Sequence, residues 1–262
     1  MNTLKWASLW SVFGLLVILG TSCQHAYYAP ALPLAPIFEQ RGDWMLTAGV
    51  GTQVQAQVGA DVKAGYAFSN HLFAAIEGGT ARGKQKDLNE GRGQYVGFAG
   101  GWYQPFRSGG GKNWLFTLPF AFQVARTEHT YYSLSYFQSP TPYFSGTTQH
   151  RFRKSTFEPG LTYLGSRFHF YTSIRLGALR YFGLLDNLSA TTTGWRESFP
   201  PLYRVFPVME PCFALSYGDK QWKLQLKWVY SFPNYSFNAL DRTVGIGLVL
   251  YPRGNKGTGL SQ

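Results

Sequence analysis

The sequence predicts an all-β fold, an antiparallel up-and-down transmembrane β-barrel of about ten strands. Three observations lead there. Aromatic residues make up 18% of the 262 residues and charged residues only 14%, against about 25% charge in an ordinary soluble domain. From Asp43 onward apolar and polar residues alternate with period two, the spacing of strands rather than helices. The connections between these segments alternate between short and long, as in a barrel whose two ends differ. Mean hydropathy is −0.16, and no apolar run reaches the roughly 18–20 residues of a spanning helix. The missing charge therefore points to strands that face lipid. A soluble β-sandwich or lipocalin-like fold, with the same aromatic stripes turned inward, is the alternative.

The first element is a processing signal over 1–22. Lys5 supplies a positive start, Leu9 to Leu19 an apolar core of secretory length, and small residues lead to Cys23. The stretch Leu19-Gly20-Thr21-Ser22-Cys23 resembles a bacterial lipobox in its looser form. That resemblance implies cleavage before Cys23, a covalent thioether lipid on it and acylation of the new amino terminus. It also implies that Gln24, where an Asp would favour inner-membrane retention, permits sorting outward. With Cys23 lipidated, Cys212 stands alone, and its neighbours include nothing that would activate a thiolate. Residues 23–42 hold Pro30, Pro33 and Pro36, show no period and read as an extended periplasmic tether. Cys23, then Tyr28-Ala29-Pro30, then Glu39-Gln40-Arg41-Gly42-Asp43 entering a strand resemble small outer-membrane barrel lipoproteins of Gram-negative bacteria whose function is unknown. The resemblance covers mainly the first third of the chain. It implies a protein in the outer membrane, lipid-anchored from the periplasmic side.

The barrel is expected over 43–252, followed by a polar tail over 253–262. Its strands are expected near 43–53, 57–68, 72–80, 93–104, 113–127, 150–164, 167–182, 203–217, 221–232 and 240–252. The clearest runs from Gln221 to Ser231. Trp222, Leu224, Leu226, Trp228 and Tyr230 share one face, and Gln221, Lys223, Gln225, Lys227 and Ser231 the other. In a membrane barrel the apolar face meets lipid and the polar face the lumen. Trp114, Phe116, Leu118, Phe120, Phe122 and Val124 repeat this pattern, as do Val62 to Phe68 and Val244 to Leu250. Pro119, Pro159, Pro207 and Pro211 fall inside these segments, where each removes a ladder donor and argues for a bulge or an interruption.

Short turns are expected at Ser69-Asn70-His71, within 105–112, at Gly165-Ser166 and at Gly218-Asp219. Long external loops are expected at 81–92, 128–149, 183–202 and 233–239, and the connection near 54–56 is short on the outer side. Two-residue loops at Gly218-Asp219 and Gly165-Ser166 set Glu210 opposite Lys227, Leu215 opposite Trp222, Phe213 opposite Leu224, Leu161 opposite Phe170 and Phe157 opposite Ile174. Glu158 then lies diagonal to Arg175, and the turn at 69–71 sets Lys63 opposite Glu77. Opposite charges meet on the polar face in each hairpin, and each cross-strand pair contributes about 0.2–1 kcal/mol. The expected lumen network is Asp61, Lys63, Glu77, Glu158, His169, Arg175, Glu210, Lys223 and Lys227. It reads as an ion-pair plug, because open channels typically need 16–18 strands. Trp44, Tyr66, Trp102, Trp114, Tyr163, Phe168, Tyr217, Trp222 and Tyr251 lie beside short turns or chain ends and are expected to form one interfacial girdle. Trp228 and Tyr230 belong to the opposite girdle.

Chemistry is sparse. The net charge of +11 and pI near 9.6 come from scattered Lys and Arg, without a nucleic-acid motif. His169 on a strand, and Glu128, His129, His150 and Asp186 around the loops, are the only residues that a catalytic reading has to work with, and they lack metal-ligand spacing. No Ser-centred elbow occurs. The glycine run at 109–111 lacks the first Gly and the Ser or Thr of a phosphate loop. No cofactor and no metal is expected. The functional expectation is a non-catalytic outer-membrane barrel lipoprotein, structural or binding an unidentified external ligand or protein through its loops. The Tyr-, Ser- and Gly-rich loop 130–148 is the candidate contact surface. A narrow solute channel, or an enzyme using a loop or lumen His, are the rivals.

Overall fold

The computed structural model describes residues 33, 35–53, 57–85, 89–108, 112–131, 144–190, 205–219, 221–231 and 241–251. The signal, Cys23, the first part of the tether, residues 132–143, 191–204 and 232–240, and the tail 253–262 lie outside them. The strands are β1 (Trp44–Gln53), β2 (Gln57–Ala67), β3 (Leu72–Gln85), β4 (Asn89–Ser108), β5 (Lys112–Tyr131), β6 (Phe144–Phe157), β7 (Gly160–Leu164), β8 (Phe168–Ala190), β9 (Val205–Gly218), β10 (Trp222–Ser231) and β11 (Asp241–Leu250). Every pairing is antiparallel. β11 returns to β1, from Leu46 opposite Leu250 to Gln53 opposite Thr243, and closes the sheet. β6 and β7 pair with the same two neighbours, β5 and β8, and form one interrupted wall position, so the barrel has ten strands.

Alternation sorts the side chains as the sequence pattern requires. Outward, Ile76 and Val96 are each 66% exposed and Phe120 62%. Inward, Lys63 is 1% exposed and Glu210 and Lys227 are fully buried. A soluble sandwich would bury the first set and expose the second. The observed arrangement is that of a transmembrane barrel.

The wall is uneven. β1, β10 and β11 have 10 residues and β2 has 11, about one bilayer crossing for a tilted strand. β4 and β5 have 20 and β8 has 23, and rise well beyond it on the side away from the short turns. Much of the expected loops 81–92, 128–149 and 183–202 is therefore strand. The expectation stopped where the outward apolar residues stop, but hydrogen-bonded pairing continues in water with polar outward residues such as Arg92, Arg126 and Arg151.

Two registers differ from expectation, each by an even number. β9 and β10 pair Tyr217 with Leu224 and Ala214 with Lys227, because the loop spans Asp219 to Trp222. There the Asp219 carboxylate accepts from Gln221 N at 2.7 Å and Trp222 N at 2.9 Å, a local turn that a two-residue loop cannot hold. β7 and β8 pair Leu161 with Thr172, since Gly165 N donates to Phe168 O and Ser166-Arg167 is the loop; Phe157 meets Leu176. Even shifts keep every side chain on its face. Glu210 does not oppose Lys227, while Lys63 does oppose Glu77.

The prolines are placed where they cost little. Pro119 and Pro159 share one break: Glu158 N donates to Pro119 O at the gap between β6 and β7. Gly218 N donates to Arg167 O, so odd residues of β9 direct their N toward β10. Pro211 and Pro207 lie beyond the last β9–β10 pair, Cys212 with Val229, so neither removes a donor from that paired ladder.

The end of the expected tether is folded. Ala35, Ile37 and Phe38 are 1%, 5% and 0% exposed, inside the barrel at the short-turn end. The chain turns into β1 through Gly42, whose φ of 89° suits glycine. Asp43 fixes this turn by accepting from Glu39 N at 2.8 Å and Gln40 N at 3.0 Å.

Candidate functional site

The lumen gathers the buried polar groups in a stack of three layers. At the floor, Ile37 and Phe38 join Met45, Ala67, Phe73, Ala75, Ala99, Tyr103, Leu115 and Val249 in one apolar cluster. The Phe38 ring lies 5.1 Å from Phe73 and 5.9 Å from Tyr103. It rests on Gly65, where an added Cβ would meet Phe38 Cζ at 2.8 Å. Burying such a ring contributes about 1.5–3 kcal/mol. An eight-stranded barrel is filled by its own inward side chains; ten strands leave a wider bore, and the N-terminal segment fills it.

Above the floor sits the charge network. Lys63 Nζ pairs with Glu77 Oε2 at 2.7 Å, and Gln123 Nε2 donates to Glu77 Oε1 at 2.5 Å. Arg175 joins two carboxylates: its Nε lies 2.7 Å from Glu158 Oε2 and its Nη1 2.8 Å from Glu210 Oε2. Lys154 Nζ contacts both Glu210 oxygens at 2.9 and 3.1 Å. Tyr171 OH and Ser173 Oγ donate to Glu158 Oε1 at 2.8 and 2.9 Å. Glu77, Glu158 and Glu210 are thus each held by several donors, which a buried ion pair needs to offset desolvation. Asp61, His169, Lys223 and Lys227 also face inward and are buried, at 6%, 8%, 3% and 0% exposure.

The third layer is aromatic. Tyr181 contacts His150 at 6.0 Å, Phe152 at 5.6 Å and Phe206 at 5.9 Å between ring centroids. Ala125, Leu179, Val208 and Tyr95 complete this cluster.

All nine expected lumen residues are therefore brought inside. The sequence reading omitted Lys154, Gln123, Tyr171 and Ser173 from the network. Lys154 shares a face with Glu158 at a spacing of four, a visible signal that the surrounding run Arg151-Phe152-Arg153-Lys154 obscures.

Of the expected girdle, Trp44, Phe168, Tyr217 and Trp222 are outward and 41–59% exposed. Trp44 packs tilted against Tyr66 at 4.6 Å, while Trp114 meets Tyr163 at 5.3 Å and Trp102 meets Phe116 at 6.0 Å edge-on. Tyr251 is a correction. It follows inward Val249 by two positions and packs against the floor cluster, because period two carries it inside rather than to the rim. Trp228 and Tyr230 point outward near the top of the short wall.

Of the catalytic candidates, the side chains of His129 and Asp186 lie outside the described residues. His169 pairs across the hairpin with Leu164, not Thr162, which meets Tyr171. His150 is 2% exposed in the aromatic layer. Among the described residues, no group of three His, Cys, Asp or Glu side chains could hold a metal ion. Cys212 is buried, and its thiol donates to Glu210 O at 3.3 Å.

No protein-family model and no curated protein matches the chain. Among solved structures, the chain is similar to a KdgM porin, at 11% identity over 79% of this chain and 98% of the porin, with a TM-score of 0.37. It is also similar to a de novo designed transmembrane β-barrel, at 12% identity over 82% of this chain and 99% of the design, TM-score 0.32. The N-terminal barrel domain of Pseudomonas aeruginosa OprF matches at 8% identity over 81% of this chain and 98% of that domain, TM-score 0.33.

Proposed function

We propose that the chain is a non-conducting outer-membrane barrel lipoprotein, anchored at Cys23, whose task is structural or binding rather than catalytic. The observation that carries this reading is the filled lumen. An apolar floor, a buried charge network and an aromatic cluster succeed one another along the axis, and Lys63, Glu77, Lys154, Glu158, Arg175 and Glu210 are held there in ion pairs. A conducting barrel needs a continuous water-filled path, and a catalytic one needs a reactive group facing an open cleft.

Outer-membrane residence follows from the outward apolar band and from both ends of the barrel sequence, Trp44 and Leu250, lying with the short turns, the usual periplasmic arrangement of such barrels. Lipidation rests on the lipobox-like stretch. The ten residue steps from Cys23 to Pro33 reach about 33–36 Å when extended, sufficient for a lipid in the periplasmic leaflet to coexist with Phe38 in the lumen. The tall wall formed by β4, β5, β6 and β8 then projects outside the cell as the surface for a ligand or partner.

The test is membrane fractionation of the mature protein and of a Cys23→Ala variant. Wild type labelled with radioactive palmitate is expected to carry the label and the variant to lack it. Both are expected to resist carbonate extraction and to migrate faster on gels unheated than boiled. Release of the variant as a folded soluble protein would overturn the barrel reading, and label on the variant would overturn the anchor.

A further inference from the structure

The outer surface of the tall wall changes character at one height. Along β5 the outward residues Phe120, Phe122 and Val124 are followed by Arg126; along β4, Phe98 and Val96 are followed by Gln94 and Arg92. On β6, Phe157 and Ser155 give way to Arg153 and Arg151, and on β8 Leu176 and Ala178 give way to Arg180. With Arg82 on β3, these strands carry a belt of arginines at the upper edge of the apolar band. From Trp114 to Val124 that band is about 25 Å tall for a strand tilted as in such barrels.

The belt is built against its own electrostatics. Arg126 lies directly opposite Arg151, and Arg153 directly opposite Arg180, and like charges facing one another across strands are destabilising. Glu90 takes Arg82 at 3.0 Å and Glu128 takes Arg92 at 2.7 Å. Arg126 Nη2 donates to the neutral Gln149 Oε1 at 2.7 Å. Arg126, Arg151 and Arg153 have no ion pair among the described residues. Beside them a recess of about 260 Å³ is lined by Thr80, Arg92, Gly93, Gln94, Arg126 and Glu128.

We propose that this belt binds the phosphate-bearing headgroups of lipids in the outer leaflet. Guanidinium groups recognise phosphate oxygens bidentately, and an anion between Arg126 and Arg151 turns a repulsion into two attractions. Continuity with the apolar band selects a lipid over a free ion: chains lying against Val96, Phe98 and Val124 place a headgroup at the height of the arginines. The inference rests on the membrane orientation proposed above.

The test uses the mature full-length protein in phosphatidylcholine nanodiscs doped with bis-phosphorylated lipid A or with the same lipid dephosphorylated. Retained lipid is counted by native mass spectrometry. Wild type is expected to retain the phosphorylated form roughly tenfold better, on the scale of a few near-surface cations. The Arg126→Gln/Arg151→Gln variant is expected to lose that preference, while Arg167→Gln, in an exposed turn at the opposite end, keeps it. Excess inorganic phosphate is expected not to displace the lipid. Equal retention of the two lipids, an unchanged preference in the double variant, or displacement by inorganic phosphate would each overturn the proposal. Heat-modifiable migration is read on every protein. Its loss in wild type would sink the membrane reading itself, whereas its retention with no lipid preference would sink the belt alone.

Discussion

The floor and the middle of the lumen fill the same bore by different physics. The floor is filled by a segment from outside the wall, with Ile37 and Phe38 seated in the apolar cluster and Ala35 against Tyr171 and Ala214. The middle is closed by the wall itself, through Arg175 joining Glu158 and Glu210 and through Lys154 on Glu210. An apolar contact is tolerant of direction, so a neighbouring chain can settle when one group is lost. A buried ion network is intolerant, because removing one partner strands the others in low dielectric. The comparison predicts a soft floor and a brittle middle.

The largest effect is therefore expected at Glu210. Glu210→Ala leaves Lys154 and Arg175 without a shared carboxylate and is expected to cost about 3–5 kcal/mol, read as a lowered urea midpoint for the barrel in lipid vesicles. Phe38→Ala is expected to cost less, about 3 kcal/mol, since the rest of the segment can collapse onto Phe73. An equal or larger loss at Phe38 would reverse the proposed ranking.

Gly65→Ala sharpens the contact further. Its new methyl meets Phe38 Cζ and is expected to destabilise by about 1–2 kcal/mol. In a Phe38→Ala background that penalty is expected to vanish, a coupling that a double-mutant cycle measures directly.

The smallest effect is expected outside the lumen, at the Asp219 turn. Hydrogen bonds from Trp222 N and Gln221 N hold the Asp219 carboxyl below its ordinary value. A carboxyl with a depressed folded pKa adds stability above its unfolded pKa and loses it as pH falls through the folded one. Asp219→Asn is expected to flatten the acid-side slope of stability slightly; an unchanged slope would remove that turn from the account.

What the sequence could and could not reveal follows the same division. Period two assigned Lys63, Glu77, Glu158, Arg175 and Glu210 to the lumen, and it did so despite registers misjudged by two and four residues, because even shifts preserve the face. Face is written in alternation, whereas partner identity depends on turn length, which Asp219 changes through a local hydrogen bond. The floor segment was invisible, because Pro33 and Pro36 suppress any period and Phe38 becomes a plug only through the shape of the bore and the space left by Gly65. The tall wall was underestimated for a related reason: apolar outward residues report lipid, and above the lipid nothing in Arg126 or Arg151 distinguishes a strand from a loop.

The central claim is that the bore is closed, and conductance in planar bilayers tests it most directly. Reconstituted wild-type protein is expected to be electrically silent at voltages where porin-type barrels show steps. Variants that remove Phe38 and Glu210 together, if heat-modifiable migration shows that they remain folded, are expected to show small, flickering openings. Steady ion-conducting steps from the wild-type protein would contradict the closed lumen and return the narrow-channel reading to first place.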